Sequence, residues 1–287
     1  MSDLEFLGLE PEGEGRFGLN VEQRLCRLDG RLYGGTALAA SVTAAEMITD
    51  RPAFWMTTQF VAGAPAGAQL SLAAEILAEG GRTCQVRVTA TDTDQQVIFA
   101  SLGAACRPRP DGLTGTFEEM PDVEEPEGAV PWDNPFVGMA RAIGLDVPDM
   151  EMPSGIGFHR VIEYRQPTVR KHPAPGPGRL CLWVHRRDGA PLSRALAAFV
   201  ADMVPLGIAQ GSKVVASGIS LDNTVRYGAG EATEWVLVDL RPHLVAGGYG
   251  HGDALIWNEH GELVAVASQT ASMLPFDTSH LPVLRNR

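Results

Sequence analysis

The run "GELVAVASQTASML", Gly261 to Leu274, sets an amide where an apolar side chain belongs. The alternation of a strand puts Leu263, Ala265, Ala267, Ala271 and Met273 on one face, and Gln269 stands among them. A buried amide left unpaired costs about 1–3 kcal/mol, so the fold has to supply partners for it. Such a group can donate and accept, which suits it either to orient a water or to bridge two strands. The other residue types able to do chemistry lack a useful spacing. Cys26, Cys84, Cys106 and Cys181 are scattered, and three of them lie in apolar or strand-like runs where a thiol acts as a small hydrophobe. His243, His251 and His260 fall in turn or hairpin contexts without ligand spacing, so no metal is expected. The absence of a Gly-x-Ser-x-Gly elbow argues against a covalent serine. "GEGRFG" precedes a strand and opens no helix, so no dinucleotide or other cofactor is expected.

Positioning Gln269 falls to a chain of 287 residues, long enough for one large domain or two ordinary ones. With 45% hydrophobic and 20% charged residues it has the composition of a soluble globular protein. No apolar run approaches the roughly 20 residues that cross a bilayer, and the first residues, "MSDLEFLGLEPEGEG", are acidic; a cytoplasmic location is expected. A net charge of −12 argues against partners such as nucleic acid or an anionic membrane, while leaving room for a small polyanion held by a local basic patch.

Between residues 107 and 135 proline, glycine and carboxylates take over and hydrophobic periodicity vanishes, which reads as an exposed connector. The expected division is a first unit over 1–107, a connector over 108–150 and a second unit over 151–287. The units look alike. Each has an alanine-rich, apolar helix, Gly34 to Asp50 and Pro191 to Gly207, followed by several strand-like runs that include a hairpin. Laying "TDQQVIFA" on "EHGELVAV" gives an offset of 166, and laying Phe60 on Val225 gives 165, which suggests an internal duplication. A helix apolar all round has to be wrapped, and a curled antiparallel sheet does so, giving an α+β fold with the unit repeated in tandem.

"ISLDNTVRYG…EWVLVDLRPHLVAGGYGHGDALIWNEHGELVAVASQTASM", most specifically from Ser220 to Met273, resembles the carboxyl-terminal unit of the acyl-CoA thioesterase II-type double hotdog family, and "LYGGTALAASVTAA" resembles the glycine pair that opens its first central helix. The resemblance implies hydrolysis of an acyl-CoA thioester, a place in fatty acid metabolism, and self-association into a homo-oligomer. It also implies a catalytic trio that holds a water: an acid of the second central helix, here Asp202; a hydroxyl at the start of the next strand, here Ser220, where the family often has threonine; and the glutamine of the last strand, here Gln269. The "LDNTVRYG" run departs from the histidine and aromatic residues that the family often has there. The offset places Trp55 opposite Ser220 and Gly103 opposite Gln269, so the first unit lacks the trio and one site per chain is expected.

A thioester needs only a placed water, a base and donors for the developing oxyanion. A carboxyl in an apolar helix should have a raised pKa, which suits Asp202 to act as base near neutral pH. Asp222 alternates to the face of Ser220 and is the rival acid; Glu46, in "AAEMI" against "VADMV", reads as a relic of Asp202 or as a residue at a wet helix end. Arg226, Arg82, Arg87 and "VRKH" (Val169 to His172) are the candidates for coenzyme A phosphates. Two other readings stay open. A hydratase or dehydratase acting on enoyl-CoA would need an aspartate and a histidine on one loop, and "WDNPFVGM" (Trp132 to Met139) lacks the histidine. A non-catalytic acyl-CoA binder would use the trio structurally.

Overall fold

In a computed structural model, which describes residues 1–132, 137, 157–173 and 176–275, the first unit contains α1 (Asp3–Leu7), β1 (Leu9–Gly13), β2 (Arg16–Asn20), α2 (Gly34–Thr49), β3 (Ala53–Phe60), β4 (Gln69–Glu79), β5 (Thr83–Thr91) and β6 (Val97–Cys106). Two-residue strands β7 (Asp122–Val123) and β8 (Val130–Pro131) follow. The second unit contains β9 (Ile162–Gln166), β10 (Val169–Lys171), β11 (Leu180–Arg186), α3 (Arg194–Val200), α4 (Val204–Ser212), β12 (Ala216–Tyr227), β13 (Trp235–Ala246), β14 (Tyr249–Asn258) and β15 (Leu263–Pro275).

Thirteen of these strands form one antiparallel sheet in the order β1-β2-β4-β5-β6-β3-β12-β15-β14-β13-β11-β9-β8. The units meet through β3 and β12, paired from Asp222↔Gln59 to Arg226↔Trp55. At the middle of that seam Thr57 and Thr224 face each other, their hydroxyls 2.9 Å apart. Each half of the sheet curls around its helices, as the all-round burial of α2 from Gly35 to Ala45 requires. The helices of the two units touch: a Cβ at Gly35 would run into the Phe199 carbonyl and the Tyr33 ring, so glycine is what permits the approach. Arg194–Ser212 is long and apolar enough to cross a membrane by length and composition, but 72% of its most apolar window is buried within the protein, which makes it a core element.

The structure corrects two expectations. The second helix is broken after Val200 and resumes at Val204. Pro205 supplies the reason: it has no N–H for the carbonyl of Ala201 and its ring clashes there, so one continuous helix cannot form. The connector is exposed only in its first part. Val123 and Ala129 are buried on the outer face of the second unit against Cys181, Trp183, Leu237, Leu255 and Trp257, and Glu124 O accepts the indole N–H of Trp183 at 2.8 Å. A sheet face carrying two tryptophans needs a cover, and this part of the acidic segment provides it. Most of 133–150, including all of "WDNPFVGM" apart from Trp132 and Val137, lies outside the described residues.

Candidate active site

The helix break leaves backbone groups without helical partners, and side chains from three directions satisfy them. The Val204 N–H donates to Gln269 Oε1 (3.1 Å), Asn223 Nδ2 donates to the Ala201 carbonyl (3.4 Å), and the buried Tyr33 hydroxyl donates to the Asp202 carbonyl (3.0 Å). Asp202, in the break itself, is therefore held by its own backbone as well as by its carboxylate.

The carboxylate is the hub. Ser220 Oγ donates to Asp202 Oδ1 at 3.0 Å and lies 3.3 Å from Oδ2, and Gln269 Nε2 donates to Oδ1 (2.5 Å) and to Ser220 Oγ (2.8 Å). Asn223 Nδ2 adds a contact to Oδ1 at 3.3 Å. The structure thus brings Asp202, Ser220 and Gln269 into one closed ring of hydrogen bonds, and Gln269 has the partners that its place on an apolar face demanded. Gln269 is fully buried and Asp202 is 5% exposed, while Ser220 is half-buried and fronts open space. Burial pushes the Asp202 carboxyl up to about 7; hydrogen bonds from Asn223, Ser220 and the Gly35 N–H, and the charge of Arg27, pull the other way. Gly35 belongs to the first unit, so the amino end of α2 reaches across to the acid of the second. A side chain at Gly34 would strike Asp202 Oδ2.

A bulge in β12 decides which residues share this face. Pairing with β15 runs Ser220↔Ala271, then Asp222↔Thr270 and Asn223↔Gln269, which leaves Leu221 as the extra residue. Ser220 and Asn223 consequently face the same way, and the alternation that made Asp222 a rival acid fails. Its Oδ1 instead accepts the Thr270 N–H at 2.9 Å. Asn223 and Tyr33 are site residues that sequence reasoning missed. Pro205 was the available signal, since it implied a broken ladder with groups to satisfy; the bulge left none.

The first unit carries the same bulge. Ala53↔Ala105, Trp55↔Ala104 and Met56↔Gly103 mirror the pairs of β12 with β15. Ala53, and not Trp55 as the sequence offset had it, stands opposite Ser220: the shared bulge leaves the offset between these strands at 167, as for Thr57 and Thr224, and not at the 165 that laying Phe60 on Val225 gave. Gly103 does stand opposite Gln269, and Met56 opposite Asn223. Glu46 Oε1 accepts the Ala53 N–H at 2.8 Å, so the first unit keeps a carboxylate aimed at the equivalent place but has neither hydroxyl nor amide to complete a ring.

Two cavities meet at Ser220. One, of about 260 Å³, is lined by Tyr33, Trp132, Phe158, Tyr164, Asp202 and Leu206 among others. The second, of about 350 Å³, is lined by Arg27, Arg31, Phe60, Val61, Ile219 and Leu221 among others, and Arg27 borders both. The basic residues singled out from sequence lie elsewhere: Arg87 pairs with Glu75, Arg170 with Asp122, and Arg82 binds the Pro108 carbonyl. His172, Cys181 and Asp239 gather their ligand atoms within 4.8 Å of one another on the second unit, but Arg241 Nε already holds Asp239 Oδ2 at 2.8 Å, so the carboxylate there has its cation.

Comparison with known proteins agrees with this architecture. The sequence pattern of the acyl-CoA thioesterase N-terminal domain matches residues 22–104, and that of the acyl-CoA thioesterase C-terminal domain matches residues 143–273. No curated protein matches the sequence significantly. Among solved structures, a candidate thioesterase from Novosphingobium aromaticivorans is 27% identical with a TM-score of 0.76, over 92% of this chain and 97% of that one. A protein with a hot dog fold from Alicyclobacillus acidocaldarius is 18% identical with a TM-score of 0.77, over 96% and 99% of the two chains. The acyl-CoA thioesterase II TesB2 from Mycobacterium marinum is 20% identical with a TM-score of 0.72, over 96% and 99%.

Proposed function

The chain belongs to the acyl-CoA thioesterase family, a family of double hotdog thioester hydrolases, and from that premise we propose that it hydrolyses an acyl-CoA to free acid and coenzyme A with a water activated by Asp202. The observation that carries this reading is the closed ring of Asp202, Ser220 and Gln269 at the wall of an apolar cavity.

Within the ring both N–H groups of Gln269 are committed, one to Asp202 and one to Ser220, so its part is to fix the other two. The attacking water sits against Asp202 Oδ2 and Ser220 Oγ, which retain acceptor capacity. Asp202 takes a proton as the water attacks the thioester carbonyl; the tetrahedral intermediate collapses, its carbon–sulfur bond breaks, and the coenzyme A thiolate leaves with the proton that Asp202 gives back. A base with a pKa near 7 is half ionised at neutral pH and strong enough to accept that proton. The acyl group enters the aromatic cavity and the pantetheine arm lies in the second one, because that is where Arg27 and Arg31 offer charge to the anionic end.

Thiol release from a panel of acyl-CoAs tests this. Asp202→Asn should lower kcat by about 10²–10⁴, the range for loss of a general base; equal rates for the variant and the parent would remove Asp202 from the mechanism. Tight binding by calorimetry with no turnover of any substrate would favour a non-catalytic binder, and a hydroxyacyl product from an enoyl-CoA would favour a hydratase.

A further inference from the structure

Resting on the hydrolase reading, we propose that the acyl group taken by this site is compact and aromatic, of phenylacetyl size. Four rings brought together from distant segments line the cavity beside Asp202 and Ser220: Tyr33 before α2, Trp132 just after β8, Phe158 before β9 and Tyr164 within β9. Phe158 stacks on Tyr33 with centroids 4.1 Å apart and planes 20° from parallel, and meets Tyr164 edge-on at 6.2 Å and 81°. Tyr33 is locked by its bond to the Asp202 carbonyl, so this wall is registered to the acid itself.

Size limits the guest first. A cavity of about 150 Å³ takes benzene, so one of about 260 Å³ suits a guest of roughly ten non-hydrogen atoms. Phenylacetyl fills that space, octanoyl has the same count, and a palmitoyl chain is about twice too large. Shape then separates the first two. A flat ring presents face and edge to walls already set at both orientations, the arrangements that aromatic pairs prefer, whereas a linear chain has to give up several rotors to coil into the same volume.

The test compares kcat/KM for thiol release from phenylacetyl-CoA, octanoyl-CoA and palmitoyl-CoA, using the full chain and Phe158→Leu, with circular dichroism to check that the variant folds. The expected result is phenylacetyl-CoA favoured over octanoyl-CoA by about tenfold and over palmitoyl-CoA by more. Phe158→Leu, or Phe158→Tyr if the leucine variant fails to fold, should change the aryl-to-octanoyl ratio. Octanoyl-CoA or palmitoyl-CoA turned over as well as phenylacetyl-CoA, or an unchanged ratio in a folded variant, would overturn the inference and leave the hydrolase reading intact. Release from none of the three substrates would instead strike at hydrolysis itself.

Discussion

Asp202 carries two consequences of burial. Because the base form has to accept a proton, kcat/KM should rise with pH through a limb near 7. Stability responds in the opposite sense. A carboxyl whose folded pKa lies above its ordinary 3.8 contributes stability that is complete below about pH 4 and is lost as pH rises through about 7. Asp202→Asn does not titrate, so denaturant melts at pH 5 and pH 8 should show the parent losing ground to the variant at the higher pH by a few kcal/mol. A difference between the two proteins that stays flat with pH would mean the carboxyl titrates normally. Gln269 was conspicuous in the sequence because its neighbours at two-residue spacing are apolar. Asn223 was not, since nothing in "LDNTV" marks which side of the bulge it falls on.

At the scale of elements, one extra residue in β12 and one proline after α3 build the site. Leu221 is the extra residue that lets Ser220 and Asn223, three positions apart, share the face of Gln269. Ser220→Ala leaves that bulge in place and removes only the hydroxyl, so the variant should remain folded by circular dichroism and lose thioesterase activity by about a hundredfold or more, on the order of a removed catalytic group. Activity near that of the parent would show that the hydroxyl which the bulge presents has no part in the reaction. The first unit keeps the bulge yet cannot regain the ring by simple exchange. A Cβ at Gly103 would come within 2.5 Å of the Trp55 carbonyl oxygen and 2.8 Å of Met56 Sδ, so a glutamine there requires the backbone of β3 to shift as well as Met56 to shrink.

The whole molecule supplies what neither unit has alone. The acid, hydroxyl and amide come from the second unit; the Gly35 N–H, the Tyr33 hydroxyl and Arg27 come from the first. β12 is an interior strand only because β3 covers it; alone, residues 151–287 would expose that edge. This half expressed separately should self-associate on a sizing column and release no thiol from acyl-CoA, and a monomeric, active half would refute that dependence. The tandem arrangement was legible in sequence because an alanine-rich apolar helix followed by strand-like runs and a hairpin recurs in the same order in both halves.

The sequence by itself determined the elements, their order, the tandem α+β plan and an amide on an apolar face, since these follow from side-chain periodicity along the chain. Tertiary structure decided which residues meet. Placing Asn223 beside Asp202, and Tyr33 and Gly35 against the second unit's acid, depended on a single-residue bulge, a helix break and the seam between units. A slip of one residue exchanges the two faces of a strand while barely altering its hydrophobic pattern, so local periodicity could not have resolved those contacts.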